Sequence, residues 1–169
     1  MATDYRDIID TLAAYLAADA TVTALLGTTT IGGVASQANS IFYGPSPQPP
    51  VFPCISLRAF GPYSAASTLH ENPHAFASLE FEVTVFGEES SMWDIQAEVD
   101  ERMERANLKI TGDSANDLTD SASWAIKDIN VAGSWVNVDV RPEISKDAVG
   151  QNLVQRTKTY TILAADKGI

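Results

Sequence analysis

A short run of strict alternation constrains the fold of this chain more than any other feature. Within residues 76–86, apolar and polar side chains take turns, in the order Leu79, Glu80, Phe81, Glu82, Val83, Thr84 and Val85. Successive side chains of a β-strand point to opposite faces of a sheet. This stretch therefore predicts a strand with one face in the core and the other toward solvent or a partner.

Helical spacing of apolar residues appears at three places. Residues 4–18 predict a helix with Ile8, Leu12 and Leu16 on one face. A second, short turn follows, with Asp19 as its cap and Gly27 as its end. A third helix is predicted from Ser90 or Ser91, as cap, to about residue 106. Its pairs Glu98–Arg102 and Glu101–Arg105 have the spacing of a solvated face.

The remaining apolar runs predict further strands and loops. Strands are expected at 53–60, 124–132, 135–141 and 153–164, with Gly133-Ser134 as a possible hairpin turn between the second and third of these. Long polar loops are expected at 28–40, 61–75 and 107–123. We therefore expect a single domain, residues 1–169, of the α+β class. Its mostly antiparallel sheet of about four to five strands has two main helices packed on one face.

The charge of the chain is strongly negative and unevenly distributed. The net charge is −11, and residues 1–101 carry only two basic side chains, Arg6 and Arg58, against 13 acidic ones. Lys and Arg make the phosphate contacts of nucleic-acid-binding proteins, so this composition argues against a nucleic-acid-binding surface. A surface that repels DNA and adaptation to a saline medium both remain compatible with it.

Cysteine usage and hydropathy limit the compartment. Cys54 is the single cysteine, so an internal disulfide is excluded. The N-terminal residues include Asp4, Asp7 and Asp10 and lack the basic and apolar regions of a secretory signal. No apolar run reaches the roughly 20 residues of a membrane span. We expect a protein made and kept in the cytoplasm, or in a particle assembled there, with no membrane partner.

The motifs that carry chemistry are weak. His70 and His74 have the spacing of helical metal ligands, but Pro73 lies between them and no third ligand is evident. The acidic loop at 113–120 lacks the glycine and closing glutamate of a calcium-binding loop. Cys54 lies among apolar strand residues, which favours a buried structural thiol over a nucleophile. We therefore expect no enzyme activity, no metal and no cofactor.

The first two-thirds of the chain resembles the tail terminator (tail-completion) proteins of long-tailed bacteriophages and related tailed viruses. The resemblance covers about residues 5–106, and the strand at 155–162 looks like that family's closing strand. It rests on a capped amphipathic helix followed by four segments, which are residues 19–27 (DATVTALLG), 41–44 (IFYG) before a proline cluster, 52–57 (FPCISL) and 79–87 (LEFEVTVFG).

The resemblance implies a virion structural protein of the tail and neck, assembled in the host cytoplasm. Such a protein forms a ring, usually of six subunits, that caps the tail tube and offers a surface to the head–tail connector protein. DNA passes through the channel without specific binding. The family has no catalytic residues and no cofactor. Alternatives are another neck or tail component, such as a connector-stopper or tube subunit, and, from a different class, a small-ligand-binding domain or enzyme.

Candidate contact residues follow from exposure and charge. Sheet edges, extended proline segments and long loops can supply the contacts of a ring. The acidic side chains are candidates for a DNA-repelling channel wall, and the others for subunit or partner contacts. These candidates are Glu80, Glu82, Glu88, Glu89, Tyr43, Pro45, Pro47, Tyr63 and His70.

Overall fold

A computed structural model describes residues 6–43, 51–63, 76–108, 124–131, 133–138 and 153–166. The elements in chain order are α1 (Arg6–Ala17), α2 (Ala20–Ala24), β1 (Thr29–Ile31), β2 (Val34–Ser36), a 3-10 turn (Ala38–Ser40), β3 (Ile41–Tyr43), β4 (Cys54–Tyr63), β5 (Phe76–Glu88), α3 (Glu89–Leu108), β6 (Trp124–Val131), β7 (Val136–Val138) and β8 (Leu153–Asp166). The expected α+β class is confirmed.

The main sheet is built around the strand that the alternation predicted. Its strand order is β3-β4-β5-β8-β6, with β7 paired to β8 beside β6. β5 is antiparallel to both β4 and β8, and its pairing with β8 runs unbroken from Phe76 opposite Ala165 to Glu88 opposite Leu153. The sheet is mostly antiparallel, as expected, but the edge pair of β3 and β4 is parallel.

Both long helices pack on one face of this sheet. α1 contacts β3 and β4, and α3 contacts β5, β6 and β8. Their apolar stripes and the inward side chains of the strands form one buried cluster. Its members include Ile9, Leu12, Leu16, Val22, Ile55, Leu57, Phe81, Val83, Val85, Ile95, Val99 and Tyr160. The predicted arrangement of two main helices on one sheet face is therefore confirmed.

Short α2 begins as the sequence indicated. Asp19 has extended backbone angles, and its carboxylate accepts hydrogen bonds from the backbone N–H groups of Thr21 and Val22. Gly27 has a different role from the expected one. A Cβ atom there would lie 2.6 Å from Val51 Cγ1 and 2.8 Å from the Phe52 carbonyl oxygen. Glycine is needed at position 27 because two backbone segments approach each other closely.

The 28–40 segment is not the loop that its composition predicted. β1 and β2 form an antiparallel hairpin in which Ile31 lies opposite Val34. Gly32 and Gly33 connect the strands, with φ angles of 57° and 81°. Two successive residues of positive φ are what a tight hairpin turn requires, and glycine adopts them without strain. Strand β4 likewise continues through residues 61–63, which were expected to be loop.

The end of β5, the start of α3 and the pairing of β6 and β7 also differ from expectation. Gly87 does not end the strand, since it pairs with Val154 inside β5. α3 begins at Glu89, so Ser90 and Ser91 lie within its first turn, and the Ser91 hydroxyl donates to the Glu88 carbonyl (2.9 Å). β6 and β7 do not form a hairpin with each other. Both run antiparallel to β8, where they occupy one edge with an interruption between them.

A buried polar cluster joins the two long helices. Arg102 is 1% exposed, which corrects the prediction that it belongs to a solvated face. Its Nε and Nη2 atoms donate to the Tyr15 carbonyl oxygen at 3.2 and 3.1 Å, and the Tyr15 hydroxyl donates to the Arg102 carbonyl oxygen at 2.7 Å. The guanidinium also lies 3.8 Å from the centre of the Tyr15 ring and 3.8 Å from Asp19 Oδ2. This cluster fixes α1 and α2 to α3.

Candidate functional site

The sheet face opposite the helices carries the polar side chains of three neighbouring strands. Directly paired residues point to the same face, so the register places Arg58 beside Glu82 and Thr161 beside Glu80. Glu80 and Arg58 are exposed, and Glu82 is half-buried. The exposed end of this face is therefore polar and carries two carboxylates and one guanidinium on adjacent strands. We call Arg58, Glu80, Glu82 and Thr161 the acidic sheet end.

At the other end of the same sheet face, two threonine side chains are buried and not exposed to solvent. Thr84 and Thr157 are buried there and share a hydrogen bond of 3.0 Å between their hydroxyl groups. Thr84 also donates to Glu82 Oε1 at 3.4 Å, which ties one carboxylate to the strand. Cys54, at the start of β4, is buried, and burial raises the pKa of its thiol from 9.0 to about 12. At neutral pH this thiol is protonated, as expected for a structural cysteine rather than a nucleophile.

The four glutamates proposed for a channel wall do not form one cluster. Glu80, Glu82 and Glu88 occupy alternate positions of β5, so they share the face opposite the helices. Glu88 is six positions beyond Glu82, a distance of about 20 Å along an extended strand. Glu89 is the exposed first residue of α3. The structure therefore brings Glu80 and Glu82 together and places Glu88 and Glu89 at the far end of the strand.

The remaining candidate contact residues are divided between described and undescribed parts of the chain. Tyr43 is the last residue of β3, an edge strand, and is exposed. Tyr63 was expected in a loop but is the last residue of β4 and pairs with Ser78. Pro45, Pro47 and His70 lie outside the described residues, as do His74 and the acidic loop at 113–120.

A polar network that the sequence did not predict lies on the helix side of β8. Arg156 is buried, and its Nη1 and Nε atoms donate to Gln96 Oε1 and Asn137 Oδ1, both at 2.8 Å. Its guanidinium lies 4.6 Å from the centre of the Trp93 ring, which is 66% exposed. The cation attracts the ring face, and tryptophan is enriched among the residues that contribute most to binding at protein interfaces.

Asp100 of α3 is the second centre of this network. Its carboxylate pairs with Lys158 Nζ and accepts from Trp135 Nε1 at 3.1 Å and from the Tyr160 hydroxyl at 3.2 Å. The strand period does contain a clue, because Arg156 and Lys158 alternate in step with core residues Tyr160 and Ile162. Basic side chains at core-facing positions must find buried partners. Here Gln96 and Asp100 of α3 and Asn137 of β7 are those partners, so the contacts fasten the helix to the sheet.

Large apolar side chains are exposed at several separate places on the described surface. They are Ile31 and Val34 of the hairpin, Tyr43 at one sheet edge, Val136 at the other, and Trp93 near the start of α3.

Among the described helices, none is long and apolar enough to cross a membrane. No protein-family model and no curated protein sequence matches the chain.

Proposed function

We propose that this chain is a virion structural protein, a tail terminator that forms a ring at the junction of the tail tube and the head–tail connector. The observation that carries the proposal is the sequence resemblance together with the elements on which its segments fall. Residues 19–27 contain α2 with its Asp19 cap, 41–44 begin with β3, 52–57 lead into β4, and 79–87 lie in β5. The closing strand at 155–162 corresponds to β8, beside β5.

A binding role fits the surroundings of the reactive side chains. The Asp100 carboxylate pairs with Lys158 and accepts a hydrogen bond from the Tyr160 hydroxyl, and Arg102 donates to the Tyr15 carbonyl oxygen between the helices. Cys54 is buried and protonated at neutral pH. Groups that satisfy each other in this way stabilise packing, whereas a catalytic group must reach a substrate. These described side chains therefore support a binding role rather than catalysis.

The distribution of exposed apolar residues supports a ring. A two-fold dimer uses one self-complementary patch, whereas a ring needs two different patches that fit each other head to tail. Tyr43 and Val136 lie at opposite edges of the main sheet, and Trp93 lies at a third place, on α3. We propose that these surfaces contact neighbouring copies in a ring of six subunits, the tail tube protein and the connector protein.

The acidic sheet end suits a channel through which DNA passes without binding. Like charges repel, so Glu80 and Glu82 facing the channel would keep phosphate groups from adhering to the wall. The alternative neck and tail proteins tend to be richer in strand, so a missing N-terminal helix would favour them. Helix α1 at residues 6–17 therefore favours the terminator over a connector-stopper or tube subunit.

Electron microscopy of the purified protein, alone and mixed with tail tubes, tests this proposal. We expect rings stacked at one end of each tube and no change in the tube wall. A protein that stays monomeric and does not associate with tubes would contradict the proposal. A variant with Trp93→Ala probes the tube or subunit contact, since that side chain is 66% exposed. Because its ring also lies 4.6 Å from the buried Arg156 guanidinium, circular dichroism and a urea midpoint must first show that the variant is folded.

A further inference from the structure

The hairpin of β1 and β2 presents two aliphatic side chains to solvent. Ile31 and Val34 lie directly opposite each other next to the glycine turn, and they are 51% and 64% exposed. Because paired residues share a face, the two side chains form one small apolar surface. We call Ile31 and Val34 the hairpin knob. Thr30 and Ala35, also exposed, form the neighbouring pair on the other face of the same hairpin.

The base of the hairpin is held firmly by side chains from the segment that follows it. Asn39 Nδ2 donates to the carbonyl oxygens of Thr29 (3.0 Å) and Val34 (2.9 Å), so one amide bridges both strands. The hydroxyl groups of Ser40 and Thr29 share a buried hydrogen bond of 2.7 Å. Gln37 Nε2 donates to the Leu26 carbonyl oxygen at 3.1 Å. A surface held in place in this way loses little conformational freedom when a partner binds.

The charge pattern indicates which partner fits. Residues 20–57 contain no Asp, Glu, Lys, Arg or His, although the chain as a whole has a net charge of −11. Two copies of so acidic a protein repel each other over most of their surface. A charge-free, apolar projection is the place where that repulsion is least. A basic partner, in contrast, would gain nothing from a segment without carboxylates.

We propose that the hairpin knob is a self-association element, which seats against a neighbouring copy of this chain. The proposal stands on exposure, anchoring and charge, and it holds whether or not the chain belongs to a viral tail. Aliphatic side chains that leave water on association contribute enough free energy to change a dissociation constant by about tenfold or more. Salt screens the repulsion between acidic surfaces, so self-association should strengthen as salt is raised.

Sedimentation velocity of the full chain over a range of concentrations, at low and at high salt, tests the knob. The informative variant is Ile31→Ser with Val34→Ser, which removes the knob. Its matched control is Thr30→Ser with Ala35→Ser, which makes the same number of changes on the opposite face of the same hairpin. Circular dichroism establishes that each variant is folded. Asn39→Ala, which keeps the knob but loosens its anchor, is a third variant.

We expect the wild-type chain and the control to form oligomers in the same concentration range. The knob variant should need at least about tenfold higher concentration, and Asn39→Ala should fall between them. A wild-type chain that remains monomeric at every concentration and salt would overturn the proposal. So would a knob variant that is folded and associates as well as the control. Either failure would leave binding to tail tubes untouched, since that is measured separately by microscopy.

Discussion

Removal of the Arg102 side chain should destabilise the protein more than any surface substitution. Arg102→Ala deletes two hydrogen bonds from Nε and Nη2 to the Tyr15 carbonyl oxygen, the stacking on the Tyr15 ring and the pairing with Asp19. The residue is 1% exposed, so neither water nor another side chain readily replaces these contacts. Loss of one partner of a buried charged pair costs about 3–5 kcal/mol.

Urea unfolding followed by circular dichroism measures this cost. Unfolding free energy falls by about 2 kcal/mol per molar urea for proteins of modest size, so a loss of about 3–5 kcal/mol should lower the midpoint by roughly 1.5–2.5 M. Asp94→Ala, an exposed change on the same helix, is the control and should stay within about 0.5 kcal/mol of wild type. If both variants shifted the midpoint by the same small amount, the view that Arg102 joins α1 to α3 would be wrong.

Three further substitutions test separate parts of the structure. Tyr15→Phe removes the 2.7 Å hydrogen bond to the Arg102 carbonyl and should cost about 1–2 kcal/mol in the same urea assay, and an unchanged midpoint would refute that bond. Gly27→Ala should cost about 1–3 kcal/mol, because its Cβ would meet backbone at 2.8 Å, whereas Gly133→Ala meets nothing within 4 Å and should be neutral in thermal melts. Cys54 should resist thiol reagents in the native protein. Since its folded pKa of about 12 exceeds the ordinary 9.0, stability should also fall between pH 9 and 12, and fall less in Cys54→Ala.

The parts of the fold that the sequence revealed are those written in local patterns. The alternation around Phe81 and Val83 predicted the central strand, because a half-buried strand needs that period. The side chain of Asp19 predicted the start of α2, because capping depends on neighbours two and three residues away. Both features require only residues close in the chain, so a single sequence contains them.

The parts that the sequence concealed depend on distant partners. Arg102 has the spacing of a solvated ion pair with Glu98, and only the approach of Tyr15 from α1 accounts for its burial. β6 and β7 pair with β8 rather than with each other, a choice made by the long-range packing of the sheet edge. The polar composition of residues 28–40 predicted a loop where the β1–β2 hairpin lies, although Gly32-Gly33 between Ile31 and Val34 is a typical hairpin-turn sequence.

Of the candidate surface, the sequence predicted the face but not its extent. The strand period correctly placed Glu80 and Glu82 on one side of β5. Glu88 was expected beyond the end of that strand, because Gly87 was expected to break it, and the structure instead continues β5 through Glu88. The Trp93–Arg156 stack joins residues of α3 and β8 that are far apart in the chain. No local pattern can predict such a contact, because it arises only when the helix packs on the sheet.

A cryo-electron microscopy map of the protein assembled at one end of a tail tube tests the proposed ring and the lining of its channel. We expect a closed ring of six subunits in which Glu80 and Glu82 of every copy face the channel. A ring in which Glu80 and Glu82 point outward, with Lys and Arg side chains lining the channel, would contradict this expectation.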